Sequence, residues 1–138
     1  MNSYQILKNL ITNKETLIVP DAYNAISAKL IEYIGFKAVQ CSGYSFSISK
    51  KYNDEKLITI DENISTTQEI VNAVNIPVMA DGEDGYGNTE VFKNNLIKFI
   101  NTGISGINIE DQNLWNPYST EKRLFWNYSG KKIVEMQE

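Results

Sequence analysis

Histidine is absent from all 138 residues. That removes imidazole acid–base chemistry and imidazole-ligated metal from consideration. Any metal held by this chain would be a hard cation on oxygen ligands. Cysteine is nearly absent too. Cys41 stands alone, so no disulfide can form within the chain, and a reducing cytoplasm is the expected setting. No apolar run approaches the roughly 20 residues of a membrane-spanning helix, so no membrane is expected as a partner. The opening stretch MNSYQILKNLITNKE is amphipathic and too polar for a secretory signal. No basic stripe stands out and the formal net charge is −4, which argues against nucleic acid as a partner. No G-x-G-x-x-G or G-x-x-x-x-G-K run follows the first candidate strand, which argues against dinucleotide and P-loop folds.

What remains is a chain with 42% hydrophobic and 22% charged residues, a globular balance at a length that supports one core. Four short β-rich runs recur: Thr16–Pro20, Lys37–Ser42, Ile76–Asp81 and Ile104–Asp111. Helical patterns precede and separate them. Ser3–Thr12 reads as a leading helix. Asp21 is placed to cap a second, in which Ile26, Leu30, Ile31 and Ile34 share a face and Gly35 supplies the stop. A third carries Ile60, Ile64, Thr67, Val71 and Val74 at helical spacing, and Pro77 lies just beyond. A fourth is capped by Asn88 or Thr89, turns Phe92, Leu96, Phe99 and Ile100 inward, and stops at Gly103. A helix over Ser129–Met136 is also expected. Alternating strands and helices predict an α/β fold with a parallel sheet.

Polar groups cluster where the strands end. VMADGEDGYGN (Val78–Asn88) holds three acidic residues and three glycines in eleven positions. Ser42 follows the second strand, Asp81 and Glu83 the third, Glu110 and Asp111 the fourth. In parallel α/β folds the loops at the carboxyl ends of strands build the active site, so oxygen ligands converge on one rim. Asp84 and Asp111 read as a solvated loop acid and a loop-bonding acid. Tyr86 reads as a residue that shapes the loop, and Cys41 as a packed core thiol.

The stretches PDAYNAISAKLIEYIGFKAVQCSGYS, ADGEDGYGN and GINIEDQ resemble the phosphoenolpyruvate mutase / isocitrate lyase superfamily, over roughly Val19 to Pro117. That resemblance implies a (β/α)8 barrel of the TIM type, of which this chain carries about the first four β/α units. It implies Mg²⁺ and a small-molecule substrate: a 2-oxo acid, phosphoenolpyruvate or a phosphonate. A C–C or C–P bond would be cleaved or rearranged through an enolate. By the same resemblance Asp81 binds the metal directly, while Asp54, Glu83 and Glu110 hold its waters. Asp54 and Glu110 serve catalysis; Ser42, Gly43 and Asp81 contact substrate, with the amides near Ser42 and Gly43 holding its carboxyl or oxo group.

Two departures from the family pattern matter. Glu83 stands where Asp is usual. The Lys-Lys-Cys-Gly-His loop of the lyase branch has no counterpart in QNLWNPYSTEKRLFW, which favours the mutase and phosphonopyruvate hydrolase branch or a less characterised hydrolase or lyase branch. A complete barrel needs about 250 residues. Residues 1–117 are therefore expected to be the first half of a barrel and 118–138 a divergent tail. Such a half-barrel is expected to form a homo-oligomer or to associate with a missing half. The alternative function is a catalytically inactive remnant or assembly module. A flavodoxin-like domain shares the element order but leaves the motifs unexplained.

Overall fold

The computed structural model describes residues 2–52 and 58–110. Asp54, Asp111, the boundary at 117 and the helix expected over Ser129–Met136 lie outside the described residues.

Asparagines and one threonine start the longer helices. Asn2 caps α1 (Ser3–Thr12), Asn24 caps α2 (Ala25–Ile34), Thr59 caps α4 (Ile60–Ala73) and Asn88 caps α5 (Thr89–Asn101). Each offers a side-chain oxygen to backbone N–H groups that the first helical turn leaves without partners. The cap of α2 is Asn24, three residues later than the Asp21 the sequence suggested, and Ser27 completes a reciprocal capping box with it. Gly35 ends that helix at φ 105°, a left-handed conformation that glycine adopts without strain. A further helix, α3 (Gly43–Ser49), occupies what reads in sequence as open loop, with Ser42 as its cap.

Four parallel strands, β1 (Asp21–Ala22), β2 (Val39–Cys41), β3 (Val78–Asp81) and β4 (Gly106–Asn108), line up in the order β1-β2-β3-β4. The first strand was expected over Thr16–Pro20. The ladder begins only where β2 offers partners, at the Pro20 carbonyl, which accepts from the Gln40 N–H. Strand position here is decided by the neighbour rather than by local composition.

The sequential order carries the fold assignment. In a doubly wound sheet the strand order reverses, whereas here each parallel strand lies beside the last. Right-handed crossovers repeated in one direction put the crossover helices α2, α4 and α5 on the same face. That face is the core: Ala22, Val39, Cys41 and Val78 pack with Ala28, Ile31 and Ile70, and Ala80 and Ile107 pack with Leu96, Phe99 and Ile104. The opposite face carries Asp21, Gln40, Met79, Asp81, Gly106 and Asn108 in register. Its Asn108 amide donates to Gln40 Oε1 at 3.0 Å. This is the winding of a (β/α)8 barrel, in which strands face a common interior and helices form the outer layer. It excludes the flavodoxin-like order.

Two helix faces deserve comparison. On α5 the expected inward residues hold: Leu96 and Phe99 are buried, with Phe92 and Ile100 packed beside them. On α2 only Ile31 of the expected four is buried, together with Ala28, while Ile26 is 78% exposed and Leu30 and Ile34 are more than half exposed. The 26–30–34 row is turned away from the sheet, and the narrower Ala28–Ile31 row meets β1 and β2.

Candidate functional site

The site starts from one carboxylate. Asp81 ends β3 and is held by two backbone amides. Its Oδ2 accepts from the Gly43 N–H at 3.0 Å, across the gap to β2, and its Oδ1 accepts from the Glu83 N–H at 3.1 Å. The ladder then continues past the formal end of β3, with Gly82 N–H donating to the Asn108 carbonyl and Glu110 N–H to the Glu83 carbonyl, each at 2.8 Å. Three strand ends are thereby tied together at Gly43, Asp81–Glu83 and Glu110.

Glu83 is 7% exposed, and its carboxylate lies against the Gly43 α-carbon, where a β-carbon would collide with it. The glycine therefore makes room for the glutamate. Glu83 itself sits at φ 48° and Tyr86 at φ 61°, conformations that non-glycine residues adopt at a cost and that tend to mark functional loops. Gly85, at φ 86°, presses on the Phe92 ring so closely that a side chain there would overlap it.

Asp84 corrects the expectation of a solvated acid. It is 1% exposed, and its Oδ1 accepts from the Tyr86 N–H at 2.9 Å. The loop turns back over it, so its carboxylate organises backbone and does not face solvent.

Electrostatics mark Asp81 out. Burial pushes its carboxyl above the ordinary aspartate range; the Gly43 and Glu83 amides pull it back; and the charges of Glu110 and Asp21 push it up further. The sign is that of a disfavoured charge. The protonated form suits the fold, and that contribution is lost as pH rises through the raised value. A bound cation reverses the penalty. Tyr86 is likewise raised, first by burial and then by Glu83, Asp81 and Asp84, against the hydrogen bond from Asn63.

All the donors at this rim are hard oxygens, which suits Mg²⁺. Among the described residues, no three Asp, Glu or Cys side chains converge as a ready-made cage. Mg²⁺ does not require one, since it binds through one or two carboxylates and keeps several waters. Asp81, fixed by two amides and surrounded by like charge, fits that role.

Of the site residues expected from sequence, the structure brings Ser42, Gly43, Asp81, Glu83 and Glu110 to one rim. The Ser42 hydroxyl accepts from the Ser45 N–H and caps α3. The two amides expected to hold the substrate's carboxyl or oxo group are turned elsewhere: the Ser42 N–H donates to the Ala22 carbonyl and the Gly43 N–H to Asp81. Asp54 lies outside the described residues. Sequence reading missed Asp21 as a neighbouring charge, and it missed two buried asparagines. Asn63 is 2% and Asn95 6% exposed. The signal was available: Asn63 shares the inward row of α4 with Thr67 and Ile70, where a polar side chain needs partners.

Cys41 is packed as expected. It is 1% exposed, the Thr67 hydroxyl lies 3.5 Å from its sulfur, and burial pushes the thiol up to about 11. At pH 8 its labelling by a disulfide reagent should be at least roughly 100-fold slower than in denaturant, since two pKa units remove that share of thiolate. Equal rates in the two conditions would show that β2 is not covered. Because it is the chain's only cysteine, the signal belongs to one site.

The family profile described as phosphoenolpyruvate phosphomutase matches residues 7–136. The 2,3-dimethylmalate lyase of Eubacterium barkeri is 33% identical over 113 residues, covering 81% of this chain and 39% of that protein. The crystal structure of a phosphoenolpyruvate phosphomutase from Streptomyces platensis subsp. rosaceus superposes with a TM-score of 0.78 at 28% identity, over 82% of this chain and 39% of the other. A phosphonopyruvate hydrolase solved with oxalate and Mg²⁺ superposes at 0.81 and 26% identity, over 90% of this chain and 43% of the other. The chain thus spans about two-fifths of the length of the relatives it matches. Among the described residues no helix is long and apolar enough to cross a membrane.

Proposed function

Since the chain belongs to the phosphoenolpyruvate phosphomutase family, we propose that its Asp81 rim binds Mg²⁺ with a small 2-oxo acid or phosphonate and serves cleavage or rearrangement of the C–C or C–P bond next to the oxo group. One observation carries the reading: a carboxylate at the end of a barrel strand, fixed by amides from two loops and set among like charges. The neighbour solved with oxalate and Mg²⁺ supports the choice of metal and substrate class.

Asp81 would hold the ion directly, and Glu83 and Glu110 would hold its waters. When bound, Mg²⁺ supplies Lewis-acid stabilisation of the oxygen that becomes an enolate. The protein's own part is geometric. The Gly43 and Glu83 amides fix the rotamer of Asp81, so no reorganisation is needed when negative charge develops nearby. Gly43, having no side chain, leaves the Glu83 carboxylate beside that point. Ser42, at the start of α3, lies at the same edge as a substrate-contacting group. By the family resemblance Asp54 and Glu110 would serve catalysis, Asp54 sharing with Glu83 and Glu110 the holding of the metal's waters.

The test is direct. Incubate the full chain with phosphonopyruvate, oxaloacetate and a 2-alkylmalate, with Mg²⁺ or with EDTA, and follow products by phosphorus and proton NMR. Product formed with Mg²⁺ and suppressed by EDTA supports the proposal, and the bond broken identifies the branch. At a fixed Mg²⁺ concentration below saturation the rate should fall on acidification, because burial and like charge favour the protonated form of metal-free Asp81 and protons then compete with the ion. Products that form equally in EDTA would contradict a metal-dependent site.

A further inference from the structure

The two ends of the loop that presents Asp81 are held by one side-chain amide. Asn63 lies in the first turns of α4, a helix fixed at its start by the Thr59–Glu62 capping box. Its Nδ2 donates to the backbone carbonyl of Asp81 at 2.8 Å and to the Tyr86 hydroxyl at 2.8 Å. Its Oδ1 accepts from the Thr67 hydroxyl at 3.3 Å. Both ends of the acidic loop, residues 81 and 86, thus meet the two hydrogens of one nitrogen.

The orientation is over-determined. Turning the amide over would set Oδ1 against the Asp81 carbonyl, acceptor on acceptor. Aspartate would bring the same repulsion, and leucine would bury both partners without donors. From Asp81 to the second anchor the chain holds Glu83 and Tyr86 itself at positive φ, conformations that persist only where surroundings enforce them. Asn95 adds a weaker hold on the middle of the loop, donating to the Gly85 carbonyl at 3.2 Å.

We infer that Asn63 is a positioning residue for the proposed metal site, setting the Asp81 carboxylate by clamping the backbone at Asp81 and the ring at Tyr86. This rests on the proposed function for the ligand, though not for the clamp itself. Groups that orient metal ligands typically change affinity about 10–100-fold when removed.

The test uses the full chain in four forms: wild type, Asn63→Leu, Tyr86→Phe, and Ile31→Val as a core change remote from the loop. Hydrogen exchange of peptides spanning residues 82–87 and 39–41 is measured, and Mg²⁺ alone is titrated by calorimetry. Asn63→Leu should speed exchange in the loop about tenfold with β2 unchanged, and weaken Mg²⁺ binding about tenfold. Tyr86→Phe, which removes one of the two acceptors, should give a smaller change of the same kind. Ile31→Val should move neither selectively. If loop and β2 accelerate together in Asn63→Leu, or if Tyr86→Phe leaves the loop unchanged, the clamp is overturned and Asn63 is an ordinary core residue. Should Asn63→Leu not fold, Tyr86→Phe still decides. Absence of Mg²⁺ binding in wild type would defeat the proposed function, while loop exchange would still judge the clamp.

Discussion

Replacing Gly43 by alanine is expected to weaken binding of Mg²⁺ with oxalate about 10–100-fold while leaving the unfolding midpoint nearly unchanged. The structure separates the two effects. A β-carbon at residue 43 falls on the Glu83 carboxylate, the far end of a flexible side chain, so the fold accommodates it by moving that carboxylate away. The backbone stays in place, since residue 43 opens α3 and alanine suits a helix better than glycine. What is lost is the placing of Glu83 beside Asp81. The double change Gly43→Ala with Glu83→Asp tests the cause, because shortening the acid by one methylene returns the room the methyl takes. Recovery of most of the affinity is the expected outcome. An alanine variant that binds as wild type would show that Glu83 has no part in the site.

Phe99→Ala is expected to lower stability by about 3–5 kcal/mol, through lost burial and the cavity left behind. For a domain of ordinary stability, about 5–15 kcal/mol, that is a large share. Phe99 is 2% exposed and belongs to the cluster under β3 and β4, with Ala80, Leu96, Ile104 and Ile107. Ala80 immediately precedes Asp81, so the same cluster supports the strand end that presents the carboxylate. Urea unfolding followed by fluorescence should show a lower midpoint with an unchanged slope. A loss below about 1 kcal/mol would mean that α5 is not packed on the sheet as described.

Much of this fold is legible where local chemistry decides. The span of α1, the Asn88 cap, and the Leu96–Phe99 face of α5 follow from caps and helical spacing. The acidic strand ends were visible because Asp81 and Glu110 directly follow apolar runs. The failures occur where a distant partner decides. β1 lies at Asp21–Ala22 because β2 offers partners there, not because Thr16–Pro20 lacks β propensity. GYSFSIS holds three serines and opens on a glycine, a composition that does not favour a helix, yet it folds as α3 under the Ser42 cap. Ile26, Leu30, Ile31 and Ile34 share a helical face in the sequence, but which of them meets the sheet depends on how α2 docks. Asp84 reads in sequence as a solvated loop acid, whereas its hydrogen bond with the Tyr86 amide turns it inward. Asn63 escaped notice for the opposite reason: its partners are 18 and 23 residues away, and no local pattern pairs them.

The central claim is that Asp81 is the anchor of a metal and 2-oxo-acid site. Calorimetric titration of Mg²⁺ into the full chain, with and without oxalate as an enolate mimic, tests it on wild type and Asp81→Ala. The account predicts Mg²⁺ binding in wild type that oxalate strengthens and that vanishes in Asp81→Ala. Binding that survives in the variant, or that is missing from wild type, would contradict it.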